Sequence, residues 1–302
     1  MMWLSRAELV AAVSNAGGLG IMASLTFPTA EELRQEIKKT KSMTDKPFAV
    51  NVTLLPTART VNLEEYFNVA IDEGVGIIET AGRNPEPYIK LLKEAKVKIM
   101  HKVARVRDVK TSERLGVDAV TIVGFEAAGH PSMEDVASSV RVPISADAVK
   151  IPVIAGGGIG DARGFVAALA LGAEGVVMGT RFMASKECLA HPKIKQWMLQ
   201  ATEKDTLMIQ RSIDNPDRVM RTDFAQSVLE MEGKGATLEE LLPLISGLRG
   251  KQALDDGDIN KGAIPCGQAV GLIHDIPSVR EIIEGVINEA KVIAQHLYSI
   301  AT

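Results

Sequence analysis

The strongest constraint on this chain is a repeat: short apolar runs alternate with amphipathic stretches about every 25 residues, the size of a βα unit rather than a helical solenoid repeat. The apolar runs at 19–22, 48–52, 76–80, 98–103, 119–123, 152–155 and 175–178 read as strands. Helical stretches are predicted at 5–15, 28–39, 63–73, 85–95, 106–115, before Lys150, and at 161–171. Ser5 is the expected N-cap of the first helix, with Glu8 three residues on and Gly17-Gly18 past its end. Continuous apolar strands between helices imply a parallel sheet covered by helices.

The expected fold is therefore α/β, a TIM (β/α)8 barrel. Seven strands are counted before Thr180, and an eighth would belong ahead of Ser5, so the first strand is expected to be missing. Residues 1–180 are read as the barrel. Residues 181–261 are read as a helical cap inserted after the last strand, and 262–302 as a loop and helix closing the barrel. A chain of 302 residues accommodates one such barrel. Its 46% hydrophobic and 24% charged residues exclude a disordered or fibrous chain. Only 4% are aromatic while 26 are glycine, which suits close helix–strand packing better than a β-sandwich. A net charge of −4 gives no bulk electrostatic case for nucleic acid or an anionic membrane. No apolar run reaches a membrane span and no signal peptide is visible, so the cytoplasm is the expected location. Cys188 and Cys266 are too few for a disulfide framework or a zinc cage, and no His, Cys, Asp and Glu group has metal-ligand spacing.

Active sites of such barrels lie at the C-terminal ends of the strands. That rule singles out Asn51, Glu79-Thr80, His101-Lys102, Gly124-Phe125-Glu126-Ala127-Ala128-Gly129-His130, Gly156-Gly157-Gly158 and Met178-Gly179-Thr180. The two glycine-bearing loops follow the last two predicted strands, where barrels commonly bind phosphate on exposed main-chain amides; a pair of tight βα turns is the bland alternative. His130, in a strand-end loop, is the best acid/base candidate because imidazole exchanges a proton near neutrality. His101 and Lys102 alternate across a strand, so only one can face the barrel interior. Lys102 would suit a flavin edge or a phosphate, or form an internal salt bridge.

The segments 11–20, 124–130, 151–159 and 175–182, with the late Gly267-Gln268-Ala269-Val270-Gly271, resemble the nitronate monooxygenase (2-nitropropane dioxygenase) family over nearly the whole chain. The same superfamily contains flavin-dependent enoyl-ACP reductases and NADH:quinone reductases. The resemblance implies a TIM barrel that binds FMN without a covalent bond. It implies phosphate contacts at Gly157, Gly158, Gly179 and Thr180, with Gly156 and Met178 also in the cofactor site. Asn51, Lys102, Ala128, Gly129 and Gln268 would lie near the flavin, with His130 over the ring. It further implies oxidation of an alkyl nitronate by oxygen to a carbonyl compound and nitrite, His130 binding the nitronate or deprotonating a nitroalkane. The alternatives are an NAD(P)H-dependent FMN reductase acting on enoyl thioesters or quinones, and a flavin-binding protein without turnover. A small-molecule substrate and oxygen are the expected partners, and a homo-oligomer is left open. The sequence departs from the family pattern at the N-terminus, where Met1 matches a methionine that usually follows a strand. It departs also at Ala128, a glycine in many relatives, and at Pro131-Ser132-Met133.

Overall fold

The computed structural model describes residues 1–55 and 60–301. Seven parallel strands pair in chain order: β1 (Gly20–Ala23), β2 (Phe48–Thr53), β3 (Ile77–Ala81), β4 (Lys98–Val103), β5 (Ala119–Val123), β6 (Val153–Gly156) and β7 (Gly175–Val177). The intervening helices are α1 (Ala7–Asn15), α2 (Ala30–Met43), α3 (Leu63–Asp72), α4 (Glu86–Glu94), α5 (Val106–Leu115), α6 (Ser138–Ala148) and α7 (Ala162–Ala170). The predicted alternation is thus present, in a TIM-barrel-like α/β fold.

The helix-facing side of the strands is apolar. Val50, Val52, Ile78, Ile99, Val120 and Ile122 are fully buried in one cluster with Leu33, Ile37, Phe67, Ala70, Leu92 and Val109 of the helices. Burial of each large aliphatic side chain contributes roughly 1.5–3 kcal/mol. The alternate residues line the barrel interior, because side chains one position apart point to opposite faces.

Among the described residues, β1 pairs only with β2 and β7 only with β6. Residues 1–5 run between these edges as a turn rather than a strand. Ala23 N donates to Ser5 O (3.1 Å), Trp3 N donates to Thr26 Oγ1 (2.9 Å), and the Met1 side chain packs beside Gly179 after β7. Ser5 does not cap α1. Its hydroxyl donates to Ile21 O, and the cap comes from Glu36 of α2, which accepts from Ala7 N at 2.8 Å. A buried tertiary carboxylate thus replaces the local serine.

After β7 come α8 (Thr180–Met183), α9 (Pro192–Gln200), β8 (Thr206–Ile209), β9 (Asp217–Met220), α10 (Asp223–Gly233), α11 (Leu238–Ile245), α12 (Gly247–Asp256) and α13 (Val279–Ala301). The 181–261 segment is therefore not wholly helical, since β8 and β9 form an antiparallel hairpin. Its apolar positions, Leu207, Ile209 and Val219, share a small core with Phe224, Val228 and Leu241. A second cluster joins α1, α8, α9 and α13 through Leu9, Phe182, Ile194, Met198 and Ile282.

Candidate active site

Parallel pairing brings Asn51, Thr53, Glu79, Lys102 and Thr121 onto the inner face of the barrel. Asn51 is in register with Glu79, and Lys102 with Ala81 on one side and Thr121 on the other. Glu79 is 3% exposed; its Oε2 accepts from Asn51 Nδ2 at 2.6 Å and lies 3.9 Å from Lys102 Nζ. Thr53 Oγ1 donates to Asn51 Oδ1 at 3.0 Å and holds the amide in that orientation. Glu79 Oε1 and Thr121 Oγ1 are buried without a partner. Leaving such groups unpaired costs about 1–3 kcal/mol each, so a polar ligand edge is favoured against this wall. His101 is on the other face. It is 3% exposed, its Nδ1 lies 2.8 Å from Thr80 Oγ1, and burial pushes its pKa down to about 4. Of the predicted pair, Lys102 faces the barrel and His101 the helices.

Above this wall the strand-end loops pack on one another. Gly124 N donates to Gly156 O at 3.0 Å, tying the loop after β5 to the end of β6. Gly157 has φ +93°, and a Cβ there would sit 3.1 Å from Ala127 N and 3.2 Å from Gly124 N. Both its conformation and its neighbours demand glycine. The late loop joins them, Gly267 N donating to Thr180 Oγ1 and Gln268 N to Glu126 O, both at 3.0 Å. The structure thus gathers Ala128, Gly129, Gly156, Gly157, Gly158, Met178, Gly179, Thr180 and Gln268 at one end of the sheet, with Asn51 and Lys102 on the barrel wall.

Two details differ from the simplest reading of the glycine loops. The amides that open α7 are not free, because the Asp161 carboxylate accepts from Arg163 N (3.0 Å) and Gly164 N (3.2 Å). The first turn of α8, at Gly179-Thr180, has no side-chain cap. Glu126, beside His130 in sequence, also turns away to structural work: its carboxylate accepts from Ser138 N and Ser138 Oγ at the start of α6.

His130 is exposed, and its ring is tethered by Nδ1 to Pro216 O at 3.0 Å. A carbonyl only accepts, so Nδ1 carries the proton and Nε2 is left for a substrate. The tether comes from the hairpin. Gly129 and Arg218 form an antiparallel bridge, Gly129 N donating to Arg218 O (3.1 Å) and Arg218 N to Gly129 O (2.7 Å). Arg218 Nε donates to Phe125 O at 3.0 Å, its guanidinium lies 4.4 Å over the Phe125 ring, and Nη1 donates to Thr206 Oγ1. Thr121, Pro216, Asp217 and Arg218 join the candidate site beyond the residues singled out from the sequence, which already included Glu79. Thr121 follows from strand register, whereas no local signal marks the three hairpin residues.

Both cysteines are buried free thiols, and burial pushes the Cys266 pKa up to about 12, so it is chemically quiet at neutral pH. Among the described residues no group of three His, Cys, Asp or Glu could hold a metal, and no helix is long and apolar enough to cross a membrane.

The site fits a flavin: unpartnered polar atoms and a lysine line the wall, and glycine backbone and an uncapped short helix lie at the strand ends. A barrel of this form with such a mouth belongs to the class of α/β-barrel oxidoreductases. The family model for nitronate monooxygenase matches residues 1–289, and the chain belongs to that family. Among curated relatives, a "(3aS,4S,5R,7aS)-5-hydroxy-7a-methyl-1-oxo-octahydro-1H-indene-4-carboxyl-CoA dehydrogenase" of Rhodococcus jostii is 33% identical over 96% of this chain and 90% of its own. A probable nitronate monooxygenase of Staphylococcus saprophyticus is 32% identical over 94% of this chain and 90% of its own. The solved structure of FabK from Thermotoga maritima superposes with a TM-score of 0.91 at 39% identity, covering 99% of this chain and 93% of that one. The protein is an oxidoreductase, and the cofactor its family implies is a flavin.

Proposed function

We propose that this chain binds FMN and oxidises alkyl nitronates with oxygen, giving a carbonyl compound and nitrite. The observation that carries the proposal is His130, tethered through Nδ1 with Nε2 free, in the loop that packs on Gly156 and Gly157. Bound FMN supplies the electron acceptor. Gly157, Gly158, Gly179 and Thr180 hold its phosphate, with Gly156 and Met178 flanking. Asn51, Lys102, Ala128, Gly129 and Gln268 surround the ring. His130 Nε2 receives the nitronate oxygen as a hydrogen-bond donor when protonated, and takes the α-proton of a nitroalkane when neutral. Oxygen uptake by the FMN-loaded protein with propionate 3-nitronate tests this, and no uptake above the protein-free rate rejects it.

A second reading is favoured by the dehydrogenase relative, whose name specifies a CoA thioester. In that reading the same site exchanges hydride between NAD(P)H and a thioester-borne substrate. Anaerobic bleaching of the flavin by NADH or NADPH within seconds, with no oxygen uptake on nitronate, would select it.

A further inference from the structure

We propose that Asp217 is the positioning partner of His130, its carboxyl set opposite the imidazole across the Gly129–Arg218 bridge so that it orients the ring and stabilises its protonated form. The inference rests on the reading of His130 as the residue that meets substrate. Gly129 and Arg218 exchange both main-chain hydrogen bonds. The flanking pair, His130 and Asp217, therefore stands directly opposite in the closer, non-hydrogen-bonded position. There the side chains share one face and the Cβ atoms are roughly 4.5–5.5 Å apart. The side chains of the bridge pair project the other way, in agreement with Arg218 reaching Phe125. Pro216, the residue before Asp217, gives its carbonyl to His130 Nδ1. The ring is thus tethered by the residue that precedes Asp217.

Asp217 has the character such a role requires. It is 7% exposed, and its Oδ1 is buried with no hydrogen-bond partner. A carboxyl left in this state is costly unless a charge compensates it. Across the hairpin β8 presents only Ile209. Arg218 is turned to Phe125 and Thr206, and Arg211 is engaged by Asp135 and Met133 O. His130 is the charged group that acts on it. Burial raises the Asp217 pKa, and the His130 charge opposes that rise.

Asp217→Asn keeps the size of the side chain and removes its charge. In full-length FMN-loaded protein with 15N-labelled histidine rings, the pH midpoint of the His130 nitrogen signals is expected to fall by about one unit or more, a tenfold change. The signals of His191, His274 and His296 should not move. The pH-dependent limb of kcat/KM for propionate 3-nitronate should shift by the same amount, and Asp217→Glu should restore part of it. An unmoved His130 midpoint in a folded Asp217→Asn protein overturns the proposal, as does an unmoved kinetic limb in an active one. If nitronate is not turned over by the unaltered protein, the substrate reading fails while the ring titration still decides the role of Asp217.

Discussion

At the scale of single residues, the candidate site combines a tethered imidazole with an incompletely satisfied wall. His130→Asn keeps a hydrogen-bonding side chain but removes the titrating group. It is expected to lower kcat/KM on the nitronate about 10²–10⁴-fold, the usual range for a lost acid/base residue, and to leave the FMN dissociation constant unchanged. Steady-state oxygen uptake and flavin fluorescence titration read the two effects. Lys102 faces Glu79 inside the barrel and is the cation nearest that carboxylate. Lys102→Met is expected to weaken FMN binding about tenfold, equivalent to about 1.4 kcal/mol, in the same titration. Equal affinity would mean that Lys102 serves only to balance Glu79. Strand-end position is what marked Asn51, Lys102 and His130 as candidates in the sequence, and the structure places them at that end of the sheet. It could not pick out Asp217, because the bridge that sets it opposite His130 forms between segments far apart in the chain.

At the scale of elements, the loops hold each other in place. Gly157 is in the left-handed region with main-chain atoms against its open side. Gly157→Ala is expected to cost about 1–3 kcal/mol of stability, read as a lower midpoint in denaturant. A change below the error of that measurement would show that the loop can relax. The loop after His130 is secured from behind by Arg141 of α6, whose guanidinium is almost wholly buried. It donates to Val123 O at 3.1 Å, Ser132 Oγ at 2.6 Å and Glu134 O at 3.0 Å, and also to Ala104 O. Arg141→Met is expected to destabilise the protein by about 3 kcal/mol, since several partly buried acceptors lose their charged donor. Faster proteolysis within residues 131–136 would accompany it. The departure at Pro131-Ser132-Met133 thus falls on a loop whose Ser132 anchors a buried arginine. Periodicity predicted the barrel strands and helices to within a few residues, yet it missed β8 and β9. These are four-residue strands in a segment read as helical, and tertiary contacts stabilise them. β9 bridges Gly129 through Arg218 and Pro265 through Val219.

At the scale of the whole molecule, acid sensitivity follows from the sheet–helix interface. Burial first of all lowers the His101 pKa from 6.5 to about 4, partly offset by Glu79 and Asp108. Between these two values the unfolded chain binds a proton that the folded chain refuses, so stability rises with pH across that window. It is fully present above pH 6.5 and is lost as pH falls toward 4, by about 3 kcal/mol at the lower end. In His101→Gln this component of the acid dependence should vanish. Denaturant unfolding between pH 4 and 7 measures it, and an unchanged slope in the variant would assign the acid loss to other groups.

The sequence by itself determined the repeating βα architecture, because strand and helix periods and glycine turns are local properties of neighbouring residues. It also determined where the candidate residues gather, because parallel strands carry the loops that follow them at one end. Tertiary structure alone decided which polar groups meet. Glu36 rather than Ser5 caps α1, Asp161 occupies the amides at the start of α7, and the β8–β9 hairpin delivers Pro216 and Asp217 to His130. Each is a pairing between buried or constrained groups whose partner is selected by the space left after the apolar faces pack. That space is a property of the folded chain as a whole, and no local pattern of residues encodes it.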